Sequence, residues 1–169
     1  MRAILIHGMG RTPLSMCPVA YRLRSAGFKT SLFGYTVTFE RWEGCTKRLI
    51  SFIESRVDKE DFIVVTHSLG SVLVRAVLPV LVRKPTACFF LAPPTQACVA
   101  AINLAPRLWY RLLTGEMGQL LADRDFMAAL PMPEMSTNIY AGNAGLTGRY
   151  SPFGDEPNDG VLMVKEAQL

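Results

Sequence analysis

Phe62-Ile63-Val64-Val65-Thr66-His67-Ser68-Leu69-Gly70-Ser71 is the stretch from which the rest of the chain is read. Four apolar residues in a row suit a strand buried on both faces. They lead into a small-residue turn and then into Ser71 to Val82, an apolar segment that reads as a helix ended or kinked at Pro79. A strand, a tight turn and a helix in that order lift Ser68 out of the carboxyl edge of a sheet. The helix N-terminus behind it favours developing negative charge. That is the setting a nucleophilic serine needs. Gly70 gives room for the turn, and Ser71 is small enough for close packing. Thr66 occupies the first Gly position of G-x-S-x-G, a packing strain the strand must absorb. A serine that merely caps a helix shares part of this pattern. The buried strand before it and the adjacent His67 favour the nucleophile.

The same alternation extends in both directions. Ala3 to Ile6 is a short apolar run that stops at His7-Gly8. Thr12-Pro13 reads as a helix N-cap with proline in the first turn, Pro18 marks an alternative start, and Gly27 a stop. Phe28 to Phe33 reads as a strand. Trp42, Cys45, Leu49, Phe52, Ile53 and Val57 recur at three and four, the stripe of an amphipathic helix. Ala87 to Leu91 and Thr137 to Tyr140 are further strands. The order predicts a mostly parallel sheet with helices on both faces, within a single domain over 1–169. Residues 92–136 are too long for a plain loop. With two helical patterns, about 101–113 and 117–130, they predict an inserted helical cap.

Composition excludes several classes. Half of the 169 residues are hydrophobic and 19% are charged, which suits a packed core and argues against disorder. The net charge of +4 arises from 18 basic and 14 acidic residues without a basic run, so there is no nucleic-acid footprint. The N-terminal apolar run is too short for a signal peptide, and no stretch approaches a membrane span. A cytoplasmic location is the expectation, with transient membrane-surface contact left open, as is oligomeric state. Cys17, Cys45, Cys88 and Cys98 form no C-x-x-C pair, and the two histidines are too few for a zinc site, so no metal or cofactor is expected.

His67-Ser68-Leu69-Gly70, together with His7-Gly8-Met9-Gly10 after the first strand, resembles the bacterial lipase and esterase branch of the α/β-hydrolase fold. Leu91-Ala92-Pro93-Pro94 and Asn158-Asp159-Gly160 resemble it too, in the same order, so the likeness covers nearly the whole chain. It implies an oxyanion hole made by the Met9 and Leu69 N–H groups, with Gly8 and Gly10 allowing close backbone approach. It implies that His7 is structural, fixing that loop, and that the His67 ring points away from the nucleophile. It also implies a small-molecule or lipid ester as substrate.

The triad order of this fold is serine, acid, histidine. Asp155, Glu156 and Asp159 all lie on the loop after the last predicted strand. The resemblance picks Asp159 as the acid, with Asp155 second, while Asn-Asp-Gly is also an ordinary turn sequence. No histidine follows, so the chain lacks the general base, the last strand, or both. It is therefore expected to be nearly inactive alone, and a downstream segment carrying a histidine would restore turnover. The alternatives are a relative that binds without catalysis, a neighbouring subunit lending its histidine, or an acyltransferase or thioesterase. The apolar side chains of the cap, among them Leu104, Leu108, Trp109, Tyr110, Met117 and Leu121, either pack on the sheet or line an acyl pocket. On the second reading, substitution at Leu108 or Trp109 would change chain-length preference.

Overall fold

The computed structural model describes residues 1–57, 60–149 and 151–168. Five parallel strands form one sheet in the order β2-β1-β3-β4-β5: β1 (Arg2–Ile6), β2 (Lys29–Phe33), β3 (Phe62–His67), β4 (Ala87–Leu91) and β5 (Ser136–Tyr140). The predicted strands are all present. Ile6 pairs with Thr66, and His67 with Leu91, so β1, β3 and β4 finish together at one edge.

Alternation along the strands divides the core. Ala3, Leu5, Ile63 and Val65 point to one face, where α1 (Cys17–Ser25) covers them with Met16 and Ala20. Ile4, Ile6, Phe62, Val64 and Phe90 point to the other, under α2 (Trp42–Val57) and α3 (Leu69–Val77). The expected stripe of α2 is buried at Cys45, Leu49, Ile53 and Val57. Burying each such Leu or Ile contributes about 1.5–3 kcal/mol, which fixes the helix on the sheet.

Three local expectations are revised. Both early prolines start helical turns: Pro13 opens a 3-10 turn over Pro13–Met16, and Pro18 lies in the first turn of α1. Thr12 has the extended backbone of an N-cap, but its side chain makes no capping bond. Pro79, which has no N–H to donate, falls in a 3-10 turn (Leu78–Val80), so α3 ends at Val77 and does not continue through a kink.

Between β4 and β5 stand three helices where two were expected: α4 (Val99–Leu104), α5 (Leu108–Leu120, kinked at Gly115) and α6 (Arg124–Ala129). Pro106 falls in the break between the first two. Asp123 caps α6, its Oδ1 accepting the Phe126 N–H at 3.0 Å. Arg75 of α3 ties this segment down. Its guanidinium donates to the carbonyl oxygens of Thr95 (2.9 Å), Leu130 (2.8 Å) and Pro131 (3.1 Å). Among the described residues no strand follows β5, and no helix is long and apolar enough to cross a membrane.

Candidate active site

Ser68 sits at the junction of β3 and α3 with φ 49° and ψ −120°. That region costs an L-residue about 1–3 kcal/mol and persists only where the surroundings enforce it. Here they do. The Ser68 N–H donates to Leu91 O at 2.9 Å, carrying the β3–β4 ladder one step past the strand. The Ser68 carbonyl accepts both the Ser71 N–H (2.9 Å) and the Ser71 hydroxyl (2.6 Å). Ser71 therefore does more than stay small: it ties the turn. Ala92, directly after β4, is the other non-glycine with positive φ among the described residues, 46°. The packing strain expected at Thr66 takes a different form. Its backbone is ordinary strand, but its hydroxyl is fully buried and has no hydrogen-bond partner among the described residues.

Gly70 allows the first turn of α3 to lie against the end of β1. A Cβ there would stand 2.8 Å from His7 O and 2.9 Å from Ile6 O. The loop after β1 is closed by the Arg11 N–H donating to Gly8 O at 3.3 Å, with Gly10 at φ 64°, a left-handed position suited to glycine. Gly8 is needed for space. A Cβ on it would come within 2.5 Å of His67 Nδ1 and 3.0 Å of Ser68 Cβ. Among the described residues, the N–H groups of Met9 and Leu69 donate to no protein acceptor.

His7 is 1% exposed and stacks on Tyr35 with ring centroids 4.4 Å apart. Its Nε2 accepts the Tyr35 N–H at 3.3 Å. The ring proton then sits on Nδ1, which donates to Gly8 O at 2.9 Å. Tyr35 in turn donates its hydroxyl to His7 O at 3.0 Å. Both ring nitrogens are thus committed to holding the loop. Burial lowers the His7 pKa, against a smaller raising effect of the Gly8 hydrogen bond.

His67 departs from expectation. It is half-buried on the wall of the cavity that contains Ser68, its ring against Gly8, so it does not turn away from the site. Burial lowers its pKa, the nearby Arg11 and His7 lower it further, and the Asp159 carboxylate pulls it back up. These are the only two histidines of the chain. Burial lowers the pKa of both in the fold, so an unfolded chain takes up their protons near pH 6.5 while the folded chain takes them up only at lower pH. The stability they contribute is present above that pH and is lost as pH falls through the window below it. Thermal melts are expected to drop between pH 7 and pH 5, before the carboxylates titrate. A His7→Gln variant is expected to show a shallower slope; an unchanged slope contradicts this account.

Asp159 reaches the cavity, unlike Asp155 and Glu156. Glu156 instead pairs with Lys165 at 2.7 Å. One oxygen of Asp159 accepts the N–H groups of Val161 (2.9 Å) and Leu162 (2.7 Å), so the residue is at once a turn aspartate and a cavity carboxylate. The buried Asn158 anchors this loop, donating to Leu146 O and Glu156 O and accepting the Gly160 N–H.

The cavity holds about 360 Å³. Ser68, His67, Asp159 and Arg11 give it polar walls, and Met9, Cys98, Ala101, Leu104, Tyr110, Leu121 and Leu162 give it apolar ones. Within these walls the Tyr110 hydroxyl stands 4.0 Å from Met9 Sδ. Of the residues weighed between packing and an acyl pocket, Leu104, Tyr110 and Leu121 line this cavity, whereas Leu108 and Trp109 are more than half exposed and do not. Arg11 and Cys98 were not anticipated. Arg11 could have been, because it follows the loop glycine Gly10 directly.

No protein-family model matches the chain, and no curated protein matches it by sequence. Solved structures do. Phospholipase PlaB from Legionella pneumophila superposes with a TM-score of 0.75 at 14% identity, over 99% of this chain and 45% of that one. The mature lipase BlEst2 of Bacillus licheniformis gives 0.68 at 16% identity, over 99% and 79%. An extracellular α/β-hydrolase from a Paenibacillus species gives 0.56 at 22% identity, over 69% and 53%. The chain spans less than half the length of PlaB. With its parallel five-stranded sheet and strained serine between strand and helix, the fold of this chain is that of the α/β-hydrolases.

Proposed function

We propose that this chain carries the nucleophile, oxyanion hole and acid of a serine ester hydrolase. The observation that carries the reading is the strained backbone of Ser68 on the wall of a cavity shared with Asp159 and Met9, beside two N–H groups without acceptors among the described residues. Ser68 Oγ attacks the ester carbonyl and gives up its proton to a base. The Met9 and Leu69 N–H groups stabilise the oxyanion, the alcohol leaves, and water releases the acid from the acyl-serine. Asp159 orients and stabilises the base as it charges. The similar structures include a phospholipase and a lipase, which favours esters of apolar acids. The apolar walls from α4 and α5 suit the acyl portion.

The base is the open place in this reading. His7 spends both ring nitrogens on the loop, and His67 packs against Gly8. The same fact favours a second reading, a protein that binds esters in this cavity without turning them over. Prolonged incubation with an alkyl fluorophosphonate separates them. The expected result is one adduct, on Ser68 by peptide mass spectrometry, absent in Ser68→Ala. An adduct elsewhere, or none while the probe still binds, supports the second reading and removes the first.

A further inference from the structure

α5 packs by one side only. Tyr110, Thr114 and Met117 are buried, whereas Leu108, Trp109, Leu112 and Leu113 are 54–69% exposed. Their spacing of one, four and five places them on a single outward stripe. Phe39 extends it: Thr38 donates its hydroxyl to Leu113 O at 2.6 Å, and the Phe39 beside it is exposed. Exposed apolar residues scattered singly are ordinary, but four on one face of one helix are not. Arg107 and Arg111 flank the stripe, both exposed, and neither forms an ion pair among the described residues. The acidic side chain of this helix, Glu116, is drawn aside to accept the Trp42 N–H at 2.9 Å.

We propose that the outward stripe of α5 docks on a phospholipid bilayer bearing anionic headgroups. Leucines at the acyl boundary, a tryptophan at headgroup level and arginines on the flanks are the pattern of a helix lying in a membrane interface. The basic excess of the chain favours the same surface. The inward side of α5 supplies Tyr110 to the cavity, so docking sets the cavity beside the lipid. The surface stands independently of the chemistry at Ser68, and vesicle binding and phosphonate labelling can each fail without the other.

Sedimentation with vesicles of phosphatidylcholine, alone or mixed with phosphatidylglycerol, tests this. Binding to the mixed vesicles is expected to be about ten-fold tighter than to phosphatidylcholine. Leu108→Ser with Leu112→Ser is expected to weaken it about ten-fold or more, with little change in melting temperature. Arg107→Gln with Arg111→Gln is expected to erase the preference for the anionic vesicles. Val82→Ser, at an exposed apolar residue between α3 and β4, outside the α5 stripe, is expected to bind like the unaltered protein. Equal binding to both vesicles overturns the proposal. So does binding that survives the double leucine change, or a lipid-free dimer that this change splits.

Discussion

Replacing Arg75 with methionine is expected to lower the melting temperature by roughly 10 °C, the largest loss anticipated from a single side chain outside the apolar core. Arg75 is 2% exposed, and among the described residues the partners of its guanidinium are three carbonyl oxygens and no carboxylate. Burial lowers its pKa, yet arginine stays charged near neutrality. Methionine keeps much of the apolar stem but leaves the buried Leu130 carbonyl unpaired, at about 1–3 kcal/mol, and the half-buried Thr95 and Pro131 bonds unmade at a smaller cost, since water can reach them. A net cost of about 3–5 kcal/mol follows. Lysine, a point charge without the planar fork, is expected to fall between the two. The bonds run to Thr95 at the start of the segment between β4 and β5, and to Leu130 and Pro131 at its end. Loosening them moves α4 and α5, the apolar half of the cavity. Labelling of Ser68 by a long-chain phosphonate should therefore slow more than labelling by a short one. A melting temperature within two degrees of the unaltered protein, measured by calorimetry, contradicts this role.

Gly70→Ala is expected to slow labelling of Ser68 about 100-fold, because small displacements at a reacting centre have large rate effects. The added methyl meets His7 O and Ile6 O, both backbone atoms at the end of a strand paired on both sides. They cannot retreat without disturbing β2 and β3. α3 must move outward, taking the Leu69 N–H and the Ser68 turn with it. Overpacking of this kind also costs about 1–3 kcal/mol of stability. Gly44→Ala is the control. That glycine lies exposed in α2 with nothing within 4 Å of an added Cβ, so alanine there is expected to stabilise by about 1 kcal/mol and leave labelling unchanged. If Gly70→Ala and Gly44→Ala label alike, the contact of α3 with β1 does not position the nucleophile.

Much of this was legible in the sequence, and the reason is locality. The apolar runs of β1, β3 and β4, the three-four stripe of α2 and the turn at Ser68 each depend on residues close together in the chain. The parallel sheet follows from their alternation, since parallel neighbours require a crossover. The small residues around Ser68 and the glycines after β1 also announced where backbone would meet backbone. What they could not announce is which atoms do the holding. The strain at Ser68 is sustained by Leu91 O, and the His7 ring by the Tyr35 amide, both partners brought together by the sheet.

The helical segment between β4 and β5 was legible only in outline. α5 carries apolar residues on both sides, so no periodicity distinguishes Tyr110 and Met117, which face inward, from Leu108, Trp109, Leu112 and Leu113, which do not. Arg75 interrupted an apolar run and bore no other mark, because its partners are carbonyls that every residue possesses. By itself the sequence determined the sheet, the elbow and the loop glycines, where chain neighbours decide the geometry. The tertiary structure alone decided which side of α5 is buried, what Arg75 clamps and that His67 shares the cavity with Ser68, because those depend on contacts between residues far apart in the chain.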